Sequence, residues 1–130
     1  MHTPNPKAAA YLDFLAQEGY RPRLDEDGDV AFQYQGGHFY LDTRGADPQY
    51  FQLTFPWFHE FTPEERPRVL EVAATVTAES KVVKIYPQGN DTMATVELFL
   101  PDGDAWRPVF TRAVRSLWHA VGRFRELVAD

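Results

Sequence analysis

The chain has 130 residues, 44% of them hydrophobic and 15% aromatic, with a formal net charge of −6 and no cysteine. A domain of this length can bury a core without disulfide or metal staples, and the absence of thiols excludes disulfides, cysteine nucleophiles and thiol redox chemistry. The acidic balance disfavours bulk attraction to nucleic acid or anionic lipid. We expect a single domain over residues 1–130, ordered over about 6–128, in a cytoplasmic protein with no membrane span.

The first predicted element is a helix over about residues 6–18. Asn5 can cap it, Pro6 presets the first helical position, and apolar residues then recur at helical spacing. Over residues 20–55 the apolar period changes to two, and turn pairs such as Gly36-Gly37 separate the alternating runs. This stretch predicts a four-stranded antiparallel meander whose first strand is short.

A second helix is predicted over about residues 63–78, because Thr62-Pro63-Glu64-Glu65 is a capping box followed by an apolar stripe. Pro67 lies one turn into this helix, and its missing amide is expected to bend the helix or delay its start. Two further strands, over 81–86 and 92–100, are joined by a short polar turn and predict a hairpin.

The last predicted element is a long amphipathic helix that begins near Pro108. Its apolar side chains recur at intervals of three and four from Phe110 to Val128. The order of elements is therefore helix, four strands, helix, two strands, helix. Antiparallel strands need helices over one face, so we predict an α+β fold built as a single two-layer domain.

The residues that carry chemistry are scattered along the chain. The acidic run 25–29 lacks the spacing of a calcium loop and is interpreted as a solvated hairpin turn. His59 is not followed by a second histidine at metal-ligand spacing, and neither Ser80 nor Ser116 lies in a nucleophile elbow. We therefore expect no enzyme, no catalytic residue, no metal and no cofactor. The histidines are His2, His38, His59 and His119.

Aromatic residues are concentrated in the stretch 55–61, which holds four aromatic rings in seven residues. Packing against the core is one interpretation of this cluster, and an exposed aromatic edge for dimerisation or partner binding is the other. Trp118 lies at the margin of the apolar stripe of the last helix and is expected to be half exposed. The aromatic candidates for a partner-binding or dimer surface are Trp57, Phe58, Phe61 and Trp118.

Basic residues recur on the opposite face of the last helix. A solvated face is one interpretation of such a charge run, and docking of an acidic segment from a second subunit or a client is the other. The basic candidates for this surface are Arg112, Arg115 and Arg123.

Several stretches resemble the bacterial YbjN-like family, whose fold is similar to that of type III secretion chaperones. They are a helix ending in residues 14–20, a hairpin at 27–32, the passage 80–86, and the strand end 97–100. The resemblance covers about residues 8–128. It implies a small acidic α+β protein, commonly dimeric, with no known enzymatic reaction, and it provides no catalytic residues to carry over.

We predict a non-enzymatic, homodimeric protein-binding module, chaperone-like or adaptor-like, that engages a protein client through a strand edge and aromatic patches. Two alternatives remain open. A small-ligand sensor would need an apolar cavity between the sheet and the helices, lined by rings such as Tyr40 and Phe99. An adaptor in nucleic-acid processing would use the basic face of the C-terminal helix, although direct nucleic-acid binding is not expected.

Overall fold

The computed structural model describes residues 5–45 and 47–130. Over these residues three helices and six strands follow one another in the order that the sequence predicts, and the α+β fold is confirmed. The elements are α1 Pro6–Gln17, β1 Arg23–Leu24, β2 Val30–Tyr34, β3 Gly37–Leu41, β4 Tyr50–Phe55, α2 Arg66–Glu79, β5 Val83–Gln88, β6 Asp91–Phe99 and α3 Phe110–Val128.

All six strands form one antiparallel sheet in the order β1-β2-β3-β4-β6-β5. The first four strands form the predicted meander. The nine-residue β6 then pairs with β4 on one side, opposing Val96 to Leu53, and with β5 on the other, opposing Ala94 to Ile85. Helix α2 therefore carries the chain from the middle of the sheet to its far edge.

The helices cover one face of the sheet. Along β4, Phe51, Leu53 and Phe55 are buried in a core shared with all three helices, while the alternate residues point away from it. The period-two pattern of the sequence therefore correctly assigns the core side of this strand. Among residues 5–45 and 47–130 no helix packs on the opposite face of the sheet, so the domain has two layers.

The start of α2 differs from the prediction. Thr62 and Glu65 form the expected reciprocal capping bonds, with each backbone N–H donating to the other side chain at 2.9 and 3.3 Å. The regular helix nevertheless begins at Arg66 instead of residue 63. Pro67 has no N–H to donate to the carbonyl of Pro63 four residues earlier, so the regular ladder starts later and the capping box closes a separate turn.

None of the helices in the described ranges is apolar over a length that would span a membrane. Helix α3 is the longest at 19 residues, and arginines interrupt it at intervals. Its apolar stripe faces the sheet, so its polar side lies at the surface of the domain.

Candidate functional site

The aromatic stretch 55–61 is divided between the core and the surface. Trp57 is 60% exposed, whereas Phe58 and Phe61 are only 8% and 6% exposed. The amide of Phe58 donates to the Thr92 carbonyl at 3.1 Å, and the amide of Phe61 donates to the Asn90 carbonyl at 2.9 Å, which ties the segment to the start of β6 and the turn before it. These bonds turn the two phenylalanines inward, so the structure removes Phe58 and Phe61 from the predicted surface.

Trp57 points outward because its backbone is left-handed, with a φ of 45°. This conformation is rare for a bulky residue, and here it shifts the alternation of the strand by one residue. Phe55 and Phe58 both face the core as a result, with ring centroids 5.9 Å apart, and the indole between them is left at the surface. The exposure of Trp57 is thus enforced by the packing of its neighbours.

Trp118 is 37% exposed on α3, in agreement with the half-exposed position that the sequence predicts. Its indole N–H donates to the Gln35 carbonyl at 3.4 Å, and its ring lies edge-on to Tyr34 at 6.3 Å. These contacts hold the indole beside the turn between β2 and β3. Trp118 therefore has a defined position although much of its ring is open to water.

Trp57 and Trp118, 61 residues apart in sequence, line one groove of about 320 Å³. The groove runs between the β2–β3 turn, the segment after β4 and the outer side of α3. We call it the two-tryptophan groove. The residues that line it include Trp57, Trp118, His38, Arg125, Gly36, Gly37 and Gly122.

Two glycines of this groove differ in the space that a side chain would have. A Cβ atom at Gly37 would lie 2.8 Å from Cε2 of Phe55, so the core packing requires glycine there. A Cβ atom at Gly122 would have no atom within 4 Å, although glycine within a helix costs about 1 kcal/mol relative to alanine. The missing side chain at Gly122 leaves the groove open on α3. A lone glycine on the polar side of a helical pattern is the sequence signal for this feature.

The charged residue of the groove is Arg125. Its Nη2 donates to the Phe58 carbonyl at 3.3 Å, and its guanidinium carbon lies 5.7 Å from the ring centre of Phe55. None of the residues that line the groove is a carboxylate. On a chain with a net charge of −6, the groove is therefore a locally positive surface.

Only part of the predicted basic face of α3 is available to a partner, as is true of the aromatic stretch. Arg112 and Arg115 are exposed, but Arg123 pairs with Glu79 of α2 at 3.2 Å and with Glu126 at 3.8 Å. Arg115 lies one helical turn before Trp118 and shares its side of α3. Each residue turns the helix by about 100°, so three residues leave an offset of about 60°. Arg115 is therefore about 60° around α3 from Trp118, and Arg112 is about 120° from it.

The acidic run 25–29 forms the predicted turn. The Asp25 carboxylate accepts the backbone N–H groups of Asp27 and Asp29, both at 2.9 Å. Asp29 departs from the predicted solvated position, because it is buried and accepts the N–H of Thr43 at 3.0 Å. Burial raises the pKa of the Asp29 carboxyl, against the opposing effects of the Thr43 hydrogen bond and of Arg44.

Metal-binding geometry is absent from the part of the chain that the structure describes, since no three acidic or histidine side chains there are grouped to hold an ion. His2, one of the four histidines considered in the sequence, lies outside the described residues.

The open face of the sheet carries a polar network around Glu97. Its carboxylate accepts bonds from the Tyr50 hydroxyl at 2.6 Å and the Thr95 hydroxyl at 2.7 Å, and Lys84 lies 2.7 Å away. Burial by itself would raise the pKa of the Glu97 carboxyl, but these three partners outweigh it and hold the pKa below its ordinary value. The network holds β4, β5 and β6 together on the side without helices.

Tyr40 and Phe99 also lie on this open face. Tyr40 follows the buried Phe39, and Phe99 is 82% exposed at the end of β6. The expectation that these two rings line a cavity between sheet and helices is therefore wrong. Their positions on β3 and β6 place them on the other side of the sheet.

A six-stranded antiparallel sheet covered by three helices on one face defines a small two-layer α+β domain with an open sheet surface. A family model described as "YbjN: Putative bacterial sensory transduction regulator" matches residues 12–129, and the chain belongs to this family. None of the curated proteins that were compared matches the chain.

Two solved structures share the fold. The crystal structure of YbjN from E. coli, described as a putative transcription regulator, superimposes with a TM-score of 0.66 at 10% identity and covers 87% of each chain. An uncharacterized protein from Methanothermobacter thermautotrophicus gives a TM-score of 0.64 at 11% identity, covering 95% of this chain and 96% of the other. At these identities the likeness establishes the YbjN-like fold.

Proposed function

We propose that this chain is a non-catalytic regulatory or adaptor module that binds a protein partner in the two-tryptophan groove. The observation that carries the proposal is the convergence of two exposed indoles, Trp57 and Trp118, on one concave surface. Tryptophan is enriched among the residues that dominate the binding energy of interfaces. The regulatory part is supported by the family description.

The non-catalytic part is supported by the surroundings of the perturbed carboxyl groups. Asp29 accepts bonds from the backbone N–H and the hydroxyl of Thr43, which tie the 25–29 turn to the segment after β3, and Glu97 is bound by donors from three strands. Perturbed pKa values mark candidate catalytic groups when a structural account is missing. Here burial accounts for the raised pKa of Asp29, and contacts within the sheet account for the lowered pKa of Glu97.

The β5 edge of the sheet is poorly suited to strand addition. The N–H of Ile85 points away from β6 and donates to Oγ1 of Thr77 at 3.0 Å. Because N–H directions alternate along an antiparallel strand, the positions whose N–H groups face the free edge are Val83, Ile85 and Pro87. Pro87 has no N–H to offer. Two of the three outward donors are thus withdrawn, which is how edge strands avoid pairing with other chains. The geometry therefore favours the groove over this edge as the partner contact.

The homodimer expected from the sequence is retained as part of the proposal. Phe99, the most exposed large apolar residue among those described, supports it. Its ring packs on one side only, against Tyr50 at 5.9 Å, and its other side is open to water. Sedimentation of the wild type and of Phe99→Ser tests this part: we expect a dimer that the substitution dissociates, and a strictly monomeric wild type would contradict it.

Capture from a lysate of the native host, quantified by mass spectrometry, tests the groove. The double variant Trp57→Ala with Trp118→Ala should lose the partners that the wild type retains. Leu70→Ala with Val82→Ala is the matched control, because it removes two exposed apolar side chains that do not line the groove. Equal capture by all three proteins would contradict the proposal.

A further inference from the structure

We infer that the partner segment bound in the two-tryptophan groove is an acidic peptide that carries one aromatic or large apolar anchor residue. This inference rests on the proposed function, since it names the partner of the same groove. It follows from the charge, the size and the shape of the groove.

Charge supports an acidic segment. Arg125 lines the groove, and Arg115 stands on the same side of α3 one turn before Trp118. His38 also lines the groove, and its other lining residues carry no charge. Because complementary potentials favour association and like charges oppose it, an acidic chain is favoured here and a basic chain is disfavoured.

Size and shape support a single anchor. A volume of about 320 Å³ is at the lower end of the range of about 300–1,000 Å³ that is typical of pockets for whole small molecules. A groove of this size, with an indole from Trp57 and another from Trp118, suits one ring or one large aliphatic side chain. Gly122 leaves the space between Trp118 and Arg125 open, so the segment can lie along α3 with its anchor between the indoles.

Selection from a random heptapeptide display library on the immobilised full-length chain tests the inference. We expect the enriched peptides to combine aspartate and glutamate with one aromatic or large apolar residue. Gly122→Leu provides the blocked groove, because its side chain enters space that is empty in the wild type and leucine is a better helix former than glycine. Circular dichroism verifies that this variant is folded.

The outcomes separate the partner chemistry from the proposed function. Acidic peptides that no longer bind Gly122→Leu support both. Basic or uncharged peptides that also depend on Gly122 overturn the acidic partner and leave the groove standing as a binding site. Peptides that bind the wild type and Gly122→Leu equally, or a selection without enrichment, overturn both.

A charge-matched pair of variants gives a second measurement that does not depend on the blocked groove. The best enriched peptide should bind Arg115→Ala about tenfold more weakly than the wild type, and Arg112→Ala within about twofold, when affinity is measured by fluorescence anisotropy at low salt. Equal effects of Arg115→Ala and Arg112→Ala would overturn the inference. The inference would also be overturned if a second copy of this chain, or single-stranded DNA, displaced the peptide and bound the groove more tightly than any acidic peptide.

Discussion

Two glycines of the groove, Gly122 and Gly37, allow a prediction in which one substitution has opposite effects at neighbouring sites. At Gly122 the alanine methyl group enters open space on a helix, so Gly122→Ala changes little except helix propensity and the entropy of the unfolded chain. At Gly37 the same methyl group would lie 2.8 Å from Cε2 of Phe55 and 3.2 Å from Cε1 of Phe39. Both rings are buried and cannot move freely.

The magnitudes follow from these surroundings. Gly122→Ala should raise the free energy of unfolding by about 1 kcal/mol, the difference in helix propensity between the two residues. For a chain of 130 residues the entropy of unfolding is about 0.27 kcal/mol/K, so this gain corresponds to a rise in Tm of about 4 °C. Gly37→Ala overpacks the core and should lower the free energy of unfolding by about 1–3 kcal/mol, or Tm by about 4–11 °C.

Thermal and urea denaturation followed by far-ultraviolet circular dichroism measures both changes. The reasoning requires the two variants to lie on opposite sides of the wild type. A destabilised Gly122→Ala would show that α3 is covered at this position, which would refute the assignment of an open groove. A neutral Gly37→Ala would refute the tight packing of Phe55 against the β2–β3 turn.

Three further changes test the charged and strained positions. Glu97→Gln should lower the free energy of unfolding by about 1–2 kcal/mol at pH 7. The folded-state pKa of Glu97 lies below the ordinary value of 4.5, so this difference should vanish in urea titrations as pH falls below 4.5. Asp29 has a raised pKa, so the stability of the wild type relative to Asp29→Asn should fall as pH rises above 3.8, and a constant difference in the same titration would contradict this. Val82→Gly removes about 1–2 kcal/mol of strain at a φ of 59° and costs about 0.5–1 kcal/mol in chain entropy, so Tm in a thermal melt should stay level or rise; a lower Tm would contradict the strain.

Local patterns predicted the elements and their buried sides well. Asn5 accepts the Ala8 amide at 2.7 Å and starts α1 as expected, and Phe51, Leu53 and Phe55 face the core as their alternation indicates. Both features depend on residues within a few positions of each other. Boundaries were less accurate where two local signals compete, as at the start of α2, where a capping box precedes Pro67.

The candidate site was predicted only in part, because its composition depends on contacts between distant residues. Phe58 faces the core since its amide is bound by Thr92 of β6, and Arg123 is neutralised by Glu79 on another helix. Neither partner is identifiable from local spacing. The exposure of Trp57 likewise follows from a left-handed backbone that the packing on both sides imposes.

By itself the sequence determined the α+β class, the order of nine elements and the lack of thiol chemistry, since these follow from composition and short-range periodicity. The likeness to the YbjN family came from the resemblance of particular stretches. The tertiary structure alone decided the placement of β6 between β4 and β5, the open face of the sheet, and the meeting of Trp57 with Trp118. Strand pairing and helix packing join residues far apart in the chain, and periodicity records which side of an element is buried but not what it is buried against.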